Sequence, residues 1–462
     1  MTELTRRQFH RSAIGAAAVA ALPAIARPAT APILQAREGN VRLAPEDYPE
    51  TRIWGYDGTV PGPVLRARQG ERMTQMFRND LPQASTVHWH GIRIANDMDG
   101  AAGLTQPAVP PGSDFFYDFV LPDAGTYWYH PHNRTFEQMA RGLYGALIVE
   151  EETGAPEVDI DEVLLLDDWR LTDKAQIAED FGNMHDRAHA GRIGNWITVN
   201  AEGDWSRAVP RHSRMRLRLV NTANARIFSL EARGLDGWVV ALDGMPLEAS
   251  QPLGRITLAP AQRVDLVVDV VADEGAEAFL VSFEADGGYA IAAFPVAGTA
   301  RDARLAAPGA LPANPVPALG PLDTAIRTEL LMEGGAMGGL RGAKLDGRSM
   351  DIRDMAAAGK AWAFNGMADM GETPLLEAGI GDTVRIVMKN DTAWSHGMHL
   401  HGHHFRQIAA DGTTGPLRDT VLMGSGETVE IAFVADNPGD WLLHCHMLEH
   451  SAGGMMTWLR VS

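Results

Sequence analysis

Short apolar runs rich in Val, Ile and Leu recur along the chain, and Gly, Pro, Asn and Asp punctuate the intervals between them. Clear examples are residues 214–221, 262–271, 383–390 and 428–434. Runs of this length separated by turn residues are typical of antiparallel β-sandwiches. The sequence shows no sustained helical periodicity, and we expect short helices only near residues 134–142 and 172–180. The pattern therefore predicts an all-β protein.

An internal repeat organises the chain. The segment from Pro63, PVLRARQGERMTQMFRNDLPQASTVHWHG, aligns without a gap with the segment from Pro374, PLLEAGIGDTVRIVMKNDTAWSHGMHLHG. Further along, GTYWYHPH from Gly125 aligns with GDWLLHCH from Gly439. This self-similarity indicates two copies of one β-domain. Each copy carries two His-x-His pairs.

The region between the copies has the same rhythm of strands but no His-x-His pair. Its segment RMRLRLVN, from Arg214, resembles RMTQMFRN of the first copy, which indicates the same fold without metal ligands. An Ala- and Pro-rich stretch follows and is the best candidate for a linker. We therefore expect domains over residues 33–153, 157–300 and 325–462, with a linker at 301–324.

The first residues have the composition of an export signal. The sequence TRRQF, from Thr5, precedes an apolar, Ala-rich stretch over residues 12–26, which is the pattern of a twin-arginine signal. An N-terminal helix or a membrane anchor is the alternative, but the stretch is short for a membrane span and small residues over 24–31 offer cleavage sites. We expect residues 1–31 to be this signal and the protein to be periplasmic.

Charge and hydropathy narrow the classes of partner. The chain of 462 residues carries a formal net charge of −19, and no dense Lys/Arg cluster follows the signal. Such a field repels nucleic acid and anionic membranes and attracts cations. No other apolar run reaches the length of a membrane span. We therefore expect no nucleic-acid partner, no membrane insertion, and a monomer, because three domains in one chain suffice for the site described below.

Four His-x-His pairs are the main chemical feature: His88/His90, His130/His132, His399/His401 and His444/His446. On a β-strand, residues i and i+2 point to the same face, so each pair is a natural chelate. One pair alone is more often a partly buried polar feature. Four pairs at equivalent positions of duplicated domains indicate a metal cluster where the copies meet. Imidazole suits Zn, Cu, Fe and Ni, so the pairs alone do not identify the metal.

The single cysteine narrows the choice of metal. Cys445 can form no intramolecular disulfide, and on its strand it points to the face opposite the two flanking histidines. With His396 and His450 it supplies the trigonal two-His, one-Cys set of a blue-copper centre, and the thioether of Met455 supplies the weak axial ligand. A structural zinc site would need four tight ligands and no distant methionine. The segment therefore predicts copper, with ligands for two separate sites.

These motifs resemble those of the multicopper oxidases, the family of laccases, bacterial cuprous oxidases and ascorbate oxidase. They are HWHG at His88, HPH at His130, HGMHLHGH at His396 and HCHMLEHSAGGM at His444, and the resemblance covers nearly the whole chain after the signal. It implies three consecutive cupredoxin-like Greek-key β-sandwich domains and four copper ions. It also implies one-electron oxidation of a reducing substrate, coupled to the four-electron reduction of dioxygen to water.

The resemblance further implies the ligands of each copper. The type 1 copper takes His396, Cys445, His450 and Met455; the type 2 copper takes His88 and His399; one type 3 copper takes His90, His130 and His446, and the other takes His132, His401 and His444. Every ligand position of the family is filled, whereas non-enzymatic relatives of the fold have lost ligands. Cys445 is also expected to pass electrons along its strand to the flanking histidines.

Proton supply to the cluster needs a nearby carboxylate. Asp99, in the sequence DMDG, matches the family position that bonds the water on the type 2 copper and relays protons. A turn-forming aspartate before Gly100 is the alternative. Glu449 is a second carboxylate without an assigned role. Cuprous oxidases often carry an acid just after the last type 1 histidine, where this chain has Ser451.

The remaining histidines and two tryptophans are expected to support the site or to lie elsewhere. We interpret His403 and His404 as packing residues around the ligands, His185, His189 and His212 as surface residues, and Trp89 and Trp128 as core residues rather than electron relays.

The electron donor stays open between Cu(I), which would serve copper tolerance, and phenols or aromatic amines. Six of the 20 methionines lie close together before the second copy: Met332, Met337, Met350, Met355, Met367 and Met370. They either deliver Cu(I), for which thioethers are soft ligands, or fill a packed loop. Cuprous oxidases hold Cu(I) with an Asp and a Met shortly before the first type 1 histidine, where this chain has Thr392 and Trp394.

The sequence leaves two alternatives. One is a laccase-like phenol oxidase without a role in copper detoxification. Another is a non-enzymatic envelope protein that uses the fold for assembly, although such a protein would have no reason to keep every ligand. Copper nitrite reductases share the fold and the type 1 site but lack the duplicated His-x-His sets.

Overall fold

The computed structural model describes residues 31–285 and 287–462. Strands account for 48% of the residues and helices for 5%, so the prediction of an all-β protein is confirmed. The predicted export signal covers residues 1–31, of which 1–30 lie outside the described residues. Across the described ranges, no helix is both long and apolar enough to cross a membrane.

The first pair of sheets is built from eight strands. They are β1 (Ile33–Val41), β2 (Thr51–Tyr56), β3 (Leu65–Arg68), β4 (Arg72–Asn79), β5 (His88–His90), β6 (Ser113–Val120), β7 (Gly125–His130) and β8 (Gly145–Glu150). One sheet has the order β2-β1-β4-β6 and the other the order β3-β8-β7-β5. All six residues of β7 are buried, and its aromatic sequence GTYWYH suits a strand with both faces covered.

The second pair of sheets contains eleven strands. They are β9 (Ile160–Trp169), β10 (Trp196–Val199), β11 (Val209–Arg211), β12 (Arg214–Asn221), β13 (Phe228–Arg233), β14 (Leu235–Leu242), β15 (Met245–Pro252), β16 (Ile256–Leu258), β17 (Arg263–Val270), β18 (Glu277–Glu284) and β19 (Gly287–Thr299). The sheet orders are β10-β9-β12-β17-β14-β15 and β11-β19-β18-β13-β16. β12 is buried throughout although it carries three arginines, because each guanidinium is paired with an aspartate on a neighbouring strand.

The third pair of sheets holds the remaining strands. They are β20 (Ile326–Gly334), β21 (Gly342–Leu345), β22 (Arg348–Asp351), β23 (Trp362–Phe364), β24 (Leu376–Ala378), β25 (Thr383–Asn390), β26 (His396–Leu400), β27 (Phe405–Ile408), β28 (Thr414–Arg418), β29 (Thr420–Met423), β30 (Thr428–Val434), β31 (Gly439–Cys445) and β32 (Met456–Val461). The sheet orders are β23-β20-β25-β30-β27-β28 and β24-β32-β31-β26-β29, and β21 and β22 form a separate hairpin.

One asparagine plays the same structural part in each pair of sheets. Asn79, Asn221 and Asn390 end β4, β12 and β25. In each, the side-chain amide donates to two backbone carbonyls, one four or five residues ahead and one more distant. The side-chain oxygen accepts the backbone N–H two residues ahead. This turn, built on the RMTQMFRN-type segments, shows that the region without His-x-His pairs shares the local fold of the two copies.

Short helices occupy places that the sequence predicted only in part. The helices are α1 (Thr135–Gln138), α2 (Met184–Ala188), α3 (Ile352–Ala357) and α4 (Leu448–Ala452), so only the helix near residues 134–142 is confirmed. The helix expected over 172–180 is wrong. Thr172 Oγ1 accepts the N–H of Gln176 and Ala175 adopts a φ of 51°, so a side-chain-stabilised turn replaces helical hydrogen bonding.

The apolar core joins the two copies directly. One continuous cluster includes Trp89 and Tyr127 of the first pair of sheets and Trp441 and Leu443 of the third. A separate cluster fills the middle pair, around residues such as Leu217. The first and third pairs therefore pack face to face, and any site between them is bounded by both copies of the repeat.

Candidate functional site

The four His-x-His pairs lie on strands, or run past the end of strands, that are neighbours within their sheets. β5 runs antiparallel to β7, which sets His88 opposite His130, and β26 runs antiparallel to β31, which sets His399 opposite His444. Seven of the eight imidazoles are buried, and that of His132 is half-buried. The structure brings them together in one cluster, because rings from the two copies lie in contact across the shared core.

Within this cluster, one trio of ring nitrogens points at a common centre. His444 Nε2 lies 3.4 Å from His132 Nε2 and 3.2 Å from His401 Nε2. The ligand atoms of these three residues all lie within 4.8 Å of one another. Three imidazole nitrogens at such spacing suit a transition-metal ion.

A second trio lies on the other side of the cluster. His130 Nε2 lies 3.4 Å from His90 Nδ1 and also 3.4 Å from His446 Nε2. The rings of His90 and His446 are perpendicular, with centroids 5.1 Å apart. Each trio therefore combines histidines from both copies of the repeat.

His88 and His399 each have one ring nitrogen beside a backbone oxygen and the other without a hydrogen-bond partner. His88 Nδ1 lies 2.8 Å from the backbone oxygen of Asp99, and His399 Nδ1 lies 2.9 Å from that of Asp419. The opposite nitrogen of each ring, Nε2, is buried and unpaired. Buried polar atoms are rarely left unpaired, and an imidazole anchored through one nitrogen offers the other to a metal. The pair therefore fits a metal ion between the copies.

Asp99 and Asp419 have equivalent contacts in the two copies. The Asp99 carboxylate lies 2.9 Å from Nδ1 of His401, a histidine of the second copy. The Asp419 carboxylate lies 3.4 Å from Nε2 of His90, a histidine of the first copy. Both carboxylates are fully buried. Asp99 thus lies at the cluster, and Asp419 is a residue that the sequence analysis missed; its only signal was an acid directly before the apolar strand β29.

Arg263, from the middle pair of sheets, holds Asp419. Its guanidinium donates to both carboxylate oxygens, at 2.8 and 2.6 Å, and its Nε donates to the backbone oxygen of Thr126 at 3.1 Å. Both charged side chains are fully buried. Burial alone would raise the pKa of the Asp419 carboxyl, but Arg263 and His90 hold it well below its usual range. One arginine therefore contacts all three pairs of sheets.

Burial keeps six of the eight clustered imidazoles neutral. Desolvation, together with repulsion from neighbouring rings, holds the pKa of each well below its usual range for His90, His130, His401, His444 and His446. The same causes lower the pKa of His132 to about 3. The neutral ring is the form that binds metals, so the electrostatics of the cluster suit a metal centre.

A separate site surrounds Cys445. Its Sγ lies 3.7 Å from His396 Nδ1 and 3.8 Å from His450 Nδ1, and all three ligand atoms lie within 4.8 Å of one another. Met455 is buried, and its backbone oxygen accepts the N–H of Cys445 at 3.1 Å. Burial raises the pKa of the Cys445 thiol to about 12. The arrangement matches the trigonal set of a blue-copper centre.

The far nitrogen of each ring at this site is anchored. His396 Nε2 lies 2.8 Å from the hydroxyl of Thr392, and His450 Nε2 lies 2.6 Å from the backbone oxygen of His189. Both rings therefore turn Nδ1 toward Cys445. Thr392, which replaces the aspartate of cuprous oxidases, is buried in this role and is not exposed to a substrate.

An open cavity of about 640 Å³ lies beside the Cys445 site. Its lining includes His185, His189 and Trp394, and the rings of the last two meet edge to face with centroids 5.4 Å apart. The backbone carbonyl of His189, one of these lining residues, accepts a hydrogen bond from Nε2 of His450, which contacts Cys445 through its other ring nitrogen. A second cavity, of about 780 Å³, is lined by residues such as Trp54 and includes no predicted ligand. Of these two cavities, only the first has in its lining a residue that contacts the Cys445 site.

The histidines and tryptophans outside the predicted ligand set differ in how well their burial was predicted. His403, His404, Trp89 and Trp128 are buried, as expected, and His185 is exposed. His189 and His212 are half-buried. The sequence analysis missed the contact of His189 with His450, because the two residues are 261 positions apart.

The methionine-rich segment is mainly packing. Met332 and Met355 are fully buried, in two different apolar clusters, and Met350 packs on the second of these. Only Met337 is strongly exposed, at 81%. Its neighbours in sequence therefore do not form a continuous thioether surface.

Glu449 has a structural place that the sequence did not reveal. Its carboxylate accepts the backbone N–H of Arg192 at 3.1 Å and the side-chain amide of Asn224 at 3.0 Å. Desolvation raises its pKa to about 7. The residue therefore ties α4, which carries His450, to two loops of the middle pair of sheets.

Family models of multicopper oxidases match residues 38–154 and 347–462, which are the two copies of the repeat. The chain belongs to the multicopper oxidase family. This oxidase is 41% identical to Lac15 from a marine microbial metagenome, whose crystal structure it matches with a TM-score of 0.76 over 94% of this chain and 100% of that one. The prediction of cupredoxin-like domains is thereby confirmed, since multicopper oxidases are built from them.

Two sequence relatives extend the comparison. Multicopper oxidase MmcO of Mycobacterium tuberculosis is 29% identical over 440 residues, which cover 87% of this chain and 82% of the relative. Copper resistance protein A of Pseudomonas syringae pv. tomato is 24% identical, with 88% of both chains covered. This oxidase is therefore a copper-dependent oxidoreductase that couples oxidation of a reducing substrate to reduction of dioxygen.

Proposed function

We propose that the oxidase binds four copper ions, in one type 1 site and one three-copper cluster. The ligands are His396, Cys445, His450 and Met455 for type 1; His88 and His399 for type 2; His90, His130 and His446 for one type 3 ion; and His132, His401 and His444 for the other. The observation that carries this proposal is the buried, unpaired Nε2 pair of His88 and His399 between two trios of converging nitrogens.

When bound, the copper ions supply one-electron acceptance from the donor and the four-electron reduction of O₂ to two waters. The protein supplies the covalent connection between the two copper sites and the buried walls around the cluster. His444 and His446 face the cluster while Cys445, between them, faces His396 and His450, so one strand joins the two sites covalently. The buried walls exclude bulk water, which strengthens every electrostatic interaction inside them.

Asp99 holds the proton-handling position at the cluster. Its carboxylate is fully buried and lies 2.9 Å from His401 Nδ1 and 3.3 Å from His88 Nδ1, so it touches a ligand of each class in the cluster. A carboxylate at hydrogen-bond distance from the reacting centre can deliver protons to reduced oxygen.

The donor enters at the cavity beside His450 and is either Cu(I) or a phenol or aromatic amine. The name of the Pseudomonas syringae relative supports a role in copper tolerance. We further propose that the chain forms three domains, at residues 33–153, 157–300 and 325–462. The twin-arginine signal would export it to the periplasm, where it would act as a monomer.

Metal analysis with electron paramagnetic resonance tests the four-copper assignment. The reconstituted oxidase should bind four copper ions per chain, show the intense thiolate-to-copper absorption that makes such proteins blue, and consume one O₂ for every four electrons. Cys445→Ser should lose the blue absorption and the type 1 signal and keep the type 2 signal. A matched substitution in the middle pair of sheets, His212→Asn, should change neither. Type 2 copper that persists after both His88 and His399 are replaced would contradict the assignment.

Export is tested separately by cell fractionation. Arg6→Lys combined with Arg7→Lys should leave the oxidase in the cytoplasm, because the twin-arginine pair is the recognition element of the signal. Equal amounts of wild type and variant in the periplasm would contradict this part of the proposal.

A further inference from the structure

Two histidines lie four residues apart beside the electron-entry cavity. His185 is on α2 and His189 caps its C-terminal end. Positions i and i+4 of a helix lie on one face, and the two ring centroids are 4.1 Å apart with an interplanar angle of 32°. His189 Nδ1 lies 2.9 Å from the backbone oxygen of His185, which leaves Nε2 of His189 free for another partner. The pair therefore presents two neighbouring imidazoles to the cavity, whose lining includes both residues.

The donor chemistry of this pair is selective. The two aspartates of the cavity are already paired: Asp180 with Arg170 and Arg192, and Asp186 with Arg170. An incoming cation therefore meets imidazole nitrogens and no free carboxylate. Such a set suits copper and the other transition-metal ions that imidazole binds, whereas Mg²⁺ and Ca²⁺ need oxygen ligands. The net charge of −19 attracts a cation to the molecule.

The pair is also well placed for electron transfer. The backbone oxygen of His189 lies 2.6 Å from His450 Nε2, so a metal ion on the imidazole of His189 is one residue and one hydrogen bond away from a type 1 ligand. The usual cuprous ligand positions cannot serve, because Thr392 is buried against His396 and the Trp394 indole donates to the Ala336 carbonyl.

We infer that His185 and His189 form the docking site for Cu(I) as an electron donor of this oxidase. The inference deepens the proposed function and rests on it. Each Cu(I) is oxidised to Cu(II) and gives one electron to the type 1 site. Four such electrons, with four protons from solvent, reduce one O₂ to two waters, so that four Cu(I) are consumed for each O₂.

The test compares two donors on the copper-loaded oxidase. Oxygen uptake is measured with a cuprous acetonitrile complex and with a substituted phenol, for wild type, His185→Ala and the double variant His185→Ala/His189→Ala. Backbone oxygens remain in these variants, so the contact of residue 189 with His450 is kept. We expect the ratio of kcat/KM for Cu(I) to kcat/KM for the phenol to fall at least about tenfold in the double variant, because loss of even an outer-shell contact weakens metal binding by about 10–100-fold.

Binding of Ag(I), a redox-inert analogue of Cu(I), gives a second readout. Calorimetric titration of the holoenzyme should show one Ag(I) site in the wild type that is absent from the double variant. Two control substitutions should leave both the Ag(I) site and the donor ratio as in the wild type. They are Met337→Ala, which removes the exposed thioether, and His212→Asn, which suits the left-handed backbone there.

The outcomes separate this inference from the proposed function. An unchanged donor ratio in the double variant, or an unchanged number of Ag(I) sites, would overturn the Cu(I) site. A ratio that falls with Met337→Ala instead would also overturn it, because delivery would then depend on the thioether. If the wild type consumes O₂ with neither donor, the proposed function itself fails, whereas turnover of the phenol alone overturns only the inference.

Discussion

Replacing Arg263 by methionine should destabilise the oxidase and loosen its type 2 site. The substitution keeps the apolar stem and removes a cation that is fully buried against Asp419. Removing one partner of a buried ion pair costs about 3–5 kcal/mol, because the other charge stays buried and uncompensated. Asp419 also holds His399 through its backbone oxygen and faces His90 through its carboxylate, so its displacement should reach the cluster.

Two measurements check this prediction. Urea unfolding of a protein with several domains need not be two-state, so the midpoints of the transition are compared directly, and the type 2 signal is integrated by electron paramagnetic resonance. Both the midpoint and the type 2 occupancy should fall in Arg263→Met. The double variant Arg263→Met/Asp419→Asn should recover much of the midpoint, because no uncompensated charge remains.

The control is an exposed pair of the same type. Arg72 bonds Asp118 in a bidentate manner, and its side chain is 66% exposed, so Arg72→Met should shift neither measurement appreciably. Equal midpoints for Arg263→Met and Arg72→Met, with full type 2 occupancy in both, would refute the argument that the middle pair of sheets supports the cluster through Arg263.

Three other predictions concern protons and charge. Asp99→Asn should lower kcat by about 10²-fold or more, which is the usual contribution of a positioned acid or base. The donor should still bleach the blue absorption at the wild-type rate in a stopped-flow experiment without O₂. Slower bleaching would mean that the substitution causes a structural defect. Because burial raises the pKa of the Cys445 thiol to about 12, binding of copper to the type 1 site should release one proton from the thiol. A pH indicator in weak buffer should detect this proton in the wild type and not in Cys445→Ser. Proton release by Cys445→Ser would exclude the thiol as the source of the proton. Desolvation raises the pKa of Glu449 to about 7, so the contribution of this carboxyl to stability is fully present below its usual pKa and is lost as pH rises through 7. Glu449→Gln should therefore reduce the fall in urea midpoint between pH 5 and pH 8 by an amount equivalent to about 1–3 kcal/mol. The exposed control Glu329→Gln should leave that fall unchanged.

The sequence was sufficient where function follows from local pattern. The gapless repeat placed His88 and His399 at equivalent positions, and strand alternation turned Cys445 away from its two neighbours. These features depend on spacings of a few residues. The same reasoning failed at residues 172–180, where the hydroxyl of Thr172 stabilises a turn in place of helical hydrogen bonds.

Contacts between distant parts of the chain could not be predicted in this way. Asp419 has a role at the cluster only because Arg263 comes from another pair of sheets, 156 residues away. The sequence predicts His189 to be an ordinary surface residue, whereas in the structure its carbonyl lies against His450. In each case the contact depends on how distant strands pair and pack, and this pairing cannot be predicted from a single sequence.

The division of ligands between the two copies also constrains when the oxidase can acquire its metal. His132 and His444 share one trio of nitrogens although 312 residues separate them, and the other trio is divided in the same way. A ribosome that has made the first copy has therefore produced only part of each trio. Copper loading must wait until synthesis has reached the second copy and both have docked, which favours maturation of the finished, folded chain over stepwise loading during translation.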